Sequence, residues 1–149
     1  MDPLAVSALA HTISLSIAPV FLLTGIASIL NVLVGRLARV VDRARALEAT
    51  FPHIGGPDRE RFVAELKILD RRMQVTHYAI ACSSASALLV CVLVAALFLA
   101  DLADIGSTRF VAVLFVSAMM LIIAGLVLFL VEVQIATRSV RVRRDLWGQ

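Results

Sequence analysis

The stretch Ile13-Ser14-Leu15-Ser16-Ile17-Ala18-Pro19-Val20-Phe21-Leu22-Leu23-Thr24-Gly25-Ile26-Ala27-Ser28-Ile29-Leu30-Asn31-Val32-Leu33-Val34 carries no formal charge over 22 residues. As an α-helix it measures ~33 Å, enough to cross a hydrocarbon core of ~30 Å. Pro19 lies within it, removes one backbone hydrogen bond and predicts a kink. Two further runs meet the same criterion, Tyr78 to Ala100 and Phe110 to Val131. The expected fold is therefore an all-α membrane protein of three transmembrane helices, at about 13–34, 78–100 and 110–131.

Composition agrees. Of the 149 residues 60% are hydrophobic, against about 45–50% apolar residues in an average soluble domain. The mean hydropathy is +0.94. One membrane domain over 1–149 is the expectation. Three helices bury little surface against one another, so further subunits are expected to complete an interior.

Charge sets the orientation. Between the first two spans lie Arg36, Arg39, Arg43, Arg45, Arg59, Arg61, Lys67, Arg71 and Arg72, and the tail adds Arg138, Arg141, Arg143 and Arg144. Arg109 alone stands in the short second connection, so thirteen of fourteen basic residues share one side. The positive-inside rule makes that side cytoplasmic, with the N-terminus outside and the C-terminus inside. The same asymmetry explains the net charge of +3 and pI near 9.5 without nucleic acid, for which no basic domain or aromatic-interleaved surface is present. No cleavable signal peptide is expected, because Met1-Asp2-Pro3 lacks a positive n-region.

The segment 36–76 reads as an antiparallel helical hairpin. Leu37, Val40, Val41, Ala44 and Leu47 form one apolar stripe, and Phe62, Leu66, Leu69 and Met73 a second. Phe51-Pro52-His53-Ile54-Gly55-Gly56-Pro57 supplies the turn, with Asp58 the expected N-cap beyond it. Gly35 alone interrupts the helical signal below Val34. Span one and the first arm are therefore expected to form a single rod. The tail 132–147 is expected to extend span three as a C-terminal helix, with Ile135, Val142 and Leu146 near one face.

Polar groups inside spans are the first functional candidates. Phe21, Thr24, Ser28, Asn31 and Gly35, with Ser14 before them, share one face of span one. Two readings stand. The face packs against other helices, its hydroxyls bonded to nearby carbonyls, or it lines a pore, with Asn31 a ring near the cytoplasmic end and Phe21 a constriction. Ala79, Ser83 and Ala87, and Ala81 with Ala85, recur at four-residue spacing in span two and predict close helix packing. Glu132 follows span three at the expected depth of Arg36 and Arg39, where pairing with an arginine, cation binding and proton relay are alternatives. Asp42, three residues from both Arg39 and Arg45, suggests a local ladder. Arg36, Arg39, Asp42, Arg45 and Glu132 thus form the candidate cytoplasmic charge network.

Catalytic chemistry has little to build on. His11, His53 and His77 lack metal-site spacing, and no phosphate loop or nucleophile elbow occurs. Cys82 and Cys91 lie ~13–14 Å apart along one helix, too far to pair. No enzyme, cofactor or metal is expected.

The run Ala18-Pro19-Val20-Phe21-Leu22-Leu23-Thr24-Gly25-Ile26, then Asn31-Val32-Leu33, then Arg36-Leu37-Ala38-Arg39-Val40-Val41-Asp42-Arg43-Ala44-Arg45, resembles a family of small bacterial membrane proteins catalogued as a domain of unknown function. The likeness extends from about Ile13 into the tail. It implies a bacterial inner-membrane location and transfers no catalytic or binding residue. The leading functional expectation is a homo-oligomeric pore or ion channel lined by the polar face of span one. The alternative is a non-conducting scaffold or accessory subunit whose basic hairpin binds a partner protein or anionic lipid.

Overall fold

A computed structural model describes residues 3–50, 58–103 and 108–144. They form three long helices: α1 (Pro3–Thr50), α2 (Asp58–Ala103) and α3 (Thr108–Arg144). As expected, span one and the first arm fall in one helix, since α1 is continuous through Pro19 and Gly35. Neither residue ends the helix. α2 likewise joins the second stripe to the second apolar run in one element of 46 residues. It begins at Asp58 itself, within the one- or two-residue spread of helix boundaries. The turn 51–57, the connection 104–107 and the end of the expected C-terminal helix, 145–147, lie outside the described residues.

All three helices contain stretches long and apolar enough to span a membrane: Ile17–Thr50, Phe62–Ala100 and Arg109–Thr137. Only 17%, 22% and 17% of their most apolar windows is buried within the chain. The remainder suits lipid or other protein, because a helix in a bilayer needs no aqueous-type core for its apolar side chains. The chain is a multi-pass membrane protein.

The chain divides into two compact units, residues 1–30 with 82–123, and 31–81 with 124–149. The core of the first is Ile26, Val90, Ala118 and Ile122, with Leu22, Leu23 and Met119 packed around it. Small residues permit close packing here. Ser86 is fully buried and its hydroxyl donates to the Ala118 carbonyl at 2.7 Å, joining α2 to α3. Ser83 is equally buried, and its hydroxyl has no partner among the described residues.

The second unit has its own core of Val40, Ala44, Leu47 and Leu69, flanked by Phe62, Leu66 and Met73. Those are residues of both predicted stripes, and they pack against each other because each helix presents an apolar residue every three or four positions.

Candidate functional site

The second unit also holds the charged cluster. On α1, Arg36 lies four residues before Val40, and Arg43 lies three after it, so both guanidiniums flank the apolar stripe. On α2, Glu65 and Arg72 flank Leu69 in the same manner. Arg43 bonds to Glu65 through Nε at 3.2 Å and Nη2 at 2.8 Å, both to Oε1. Seven positions away on each helix, Arg36 and Arg72 converge on one carboxylate of α3, that of Glu132. Positions advance along α1 as they retreat along α2, which is antiparallel pairing.

Glu132 is the centre of this arrangement. Its side chain is 1% exposed, and each oxygen has its own arginine. Arg36 Nη1 approaches Oε2 at 2.6 Å. Arg72 donates to Oε1 from Nη2 at 2.8 Å and from Nε at 3.2 Å. Phe129, one turn earlier on α3, lies under Arg36, with the guanidinium carbon 5.2 Å from the ring centroid. A cation above an aromatic face gains from the ring quadrupole. The Thr76 hydroxyl is buried on α2 and donates to the Arg72 carbonyl at 2.8 Å. One carboxylate thereby ties three helices together, and the triad keeps one unit of positive charge.

The remaining members of the expected charge network form no ion pair among the described residues. Arg39, Asp42 and Arg45 are exposed, and among the described residues Asp42 forms no ion pair with either arginine. The structure thus joins Arg36 to Glu132, brings in Arg72, Arg43 and Glu65, and leaves Asp42 out of the ion pairs. The missed residues had a signal. Arg36 with Arg43, and Glu65 with Arg72, recur at seven residues beside the two stripes, so facing stripes must bring them close.

The polar residues of span one are uncovered. Phe21 is 74% exposed, and Thr24, Ser28, Asn31 and Gly35 are exposed as well. Two hydroxyls bond within their own helix, Thr24 to the Val20 carbonyl at 3.3 Å and Ser28 to the Thr24 carbonyl at 3.0 Å. Asn31 has no such bond among the described residues. A Cβ added at Gly25 or Gly35 would meet nothing within 4 Å. Among the described residues no group of three or more His, Cys, Asp or Glu side chains is placed to hold a metal ion.

Three apolar helices and a buried carboxylate shared by two partly exposed arginines define an all-helical, multi-pass membrane protein. The chain belongs to the family described as "Protein of unknown function (DUF2721)", whose model matches residues 16–142. No curated protein and no solved structure matches the chain significantly.

Proposed function

We propose that the chain is a homo-oligomeric protein of the bacterial inner membrane, N-terminus outside and C-terminus inside, whose copies meet around the polar face of span one to form a pore. The observation that carries this reading is Asn31. Its carboxamide is exposed and without a hydrogen-bond partner among the described residues, yet it lies three residues inside the end of a charge-free run. An amide in that environment needs a polar neighbour or water. Asn31 side chains from adjacent copies, or water along an axis, meet that need. Phe21, Thr24 and Ser28 continue the face toward the other side of the membrane, Phe21 as an apolar constriction, and Gly35 continues it toward the cytoplasmic end. The orientation rests on the arginine asymmetry.

The test is conductance of the purified protein in planar bilayers, for wild type and Asn31→Leu. The reading expects ion-dependent currents that Asn31→Leu alters. Silence of the wild type across voltage, tension and ion type counts against a pore, as does indifference to the substitution.

A second reading, a non-conducting scaffold or accessory subunit, draws on the arginine cluster. The basic cytoplasmic hairpin would then dock a partner protein or anionic lipid. Crosslinking in native membranes followed by mass spectrometry separates the two. A foreign partner in fixed stoichiometry supports the scaffold, and self-crosslinks alone support the homo-oligomer.

A further inference from the structure

Within the second unit, Arg36, Arg39, Val40, Arg43, Leu69 and Arg72 line an open groove of about 260 Å³. For comparison, a cavity of ~150 Å³ is large enough for benzene. The groove contains four guanidiniums, and among the described residues the carboxylates bonded to them are Glu65 and Glu132. Two positive charges are left over. Arg39 is exposed and has no ion-pair partner among the described residues. Arg36 uses Nη1 for Glu132, and its other N–H groups are available, since a guanidinium carries five donors.

Depth narrows the ligand. Arg36 and Arg39 follow the end of the charge-free run at Val34 by two and five residues, or ~3 and ~7–8 Å of helix. The headgroup layer on one side of a bilayer is about 5–8 Å thick. Forked guanidiniums at that depth match the tetrahedral oxygens of phosphate better than they match a simple halide.

We infer that this groove binds a phosphate-bearing anion, with Arg39 its principal unshared donor, Arg36, Arg43 and Arg72 its walls, and a membrane phospholipid as the source. The inference deepens the lipid-binding reading and rests on it only for that source. It is independent of conductance, so a silent bilayer leaves it standing and its own failure leaves the pore reading standing.

The full chain is reconstituted in nanodiscs of phosphatidylcholine mixed with phosphatidylglycerol, and retained lipid is measured by native mass spectrometry. Arg39→Gln is compared with Arg71→Gln, which removes an exposed charge next to Arg72 but outside the groove lining. Melting temperature verifies that both variants are folded, and neither loses an ion pair to the described residues. Wild type should retain phosphatidylglycerol preferentially, and Arg39→Gln should lower that preference about fivefold, the effect of one well-placed arginine. Arg71→Gln should stay within about twofold of wild type. In a parallel arm, inorganic phosphate is titrated into phosphatidylcholine-only nanodiscs against matched chloride. Stabilisation that depends on Arg39 supports the anion site and makes free phosphate a source. Equal losses in the two variants overturn the inference, as does a wild type indifferent to both phosphatidylglycerol and phosphate.

Discussion

Arg36 on α1 and Glu132 on α3 are joined at 2.6 Å across 96 positions of sequence, and the same carboxylate holds Arg72 of α2 by its other oxygen. A carboxylate so buried is tolerable only because both oxygens are occupied by cations, since an unpaired ion there would carry a desolvation penalty of several kcal/mol. The arginines stay 31% and 21% exposed, so their own dehydration is partial. The triad joins the faces of α1, α2 and α3 that carry Arg36, Arg72 and Glu132.

Glu132→Gln keeps the shape of the side chain and removes its charge. Two guanidiniums then lose their counter-ion, and a loss of about 2–4 kcal/mol in unfolding free energy is expected. Arg36→Gln and Arg72→Gln should each cost less, about 1–2 kcal/mol, because one cation remains on the carboxylate. Denaturant unfolding in detergent micelles measures all three. Equal costs for the three variants would contradict the shared-carboxylate account.

The Arg43–Glu65 pair should behave differently. Both side chains are about half exposed, so water and salt screen the attraction. Glu65→Gln is expected to change stability by no more than about 1 kcal/mol, and added salt should erase the difference. Persistence of the effect at high salt would show that the pair is less solvated than its exposure implies.

Ser86 offers a test inside the apolar region. Ser86→Ala removes the bond to the Ala118 carbonyl and should cost about 0.5–1.5 kcal/mol, typical of interhelical bonds in lipid. Ser86→Leu adds bulk where Ser86 and Ala118 are fully buried, and overpacking should cost about 1–3 kcal/mol or more. A larger loss in the alanine variant than in the leucine variant would reverse the order that close packing demands.

Orientation can be read with thiol chemistry. Cys82 is half-buried and Cys91 exposed in the second apolar run, and a charged, membrane-impermeant reagent does not enter the hydrocarbon that such a run faces. Both should resist membrane-impermeant maleimide in intact vesicles. A single Lys67→Cys variant should label only when the cytoplasmic side is accessible. Labelling from outside would invert the proposed topology.

The contrast between the two stripes and Asp42 shows what was legible in advance. Val40, Ala44, Leu47, Leu69 and their neighbours repeat at helical spacing, and periodicity alone places them on facing surfaces. Asp42 also had arginines at helical spacing, yet it remains exposed without an ion pair among the described residues. A local ladder on a solvated face is worth only about 0.2–0.5 kcal/mol per pair, too little to order long side chains. Glu132 gave the opposite result. Its depth beside arginines was readable, but its choice of Arg36 and Arg72 was not, because partner identity depends on how three helices rotate about their axes.

Length and the clustering of apolar residues determined the three spanning helices, since a bilayer accepts few other ways of satisfying a backbone. The continuity of α1 through Pro19 and Gly35 was also readable, because each stands singly and neither belongs to a cluster of breakers such as 51–57. Tertiary structure decided which charges meet. Glu132 became the shared ligand of two arginines, and Ser86 met the carbonyl of Ala118, because those contacts depend on rotation and close approach between helices. Helical periodicity constrains such rotation only to within a face.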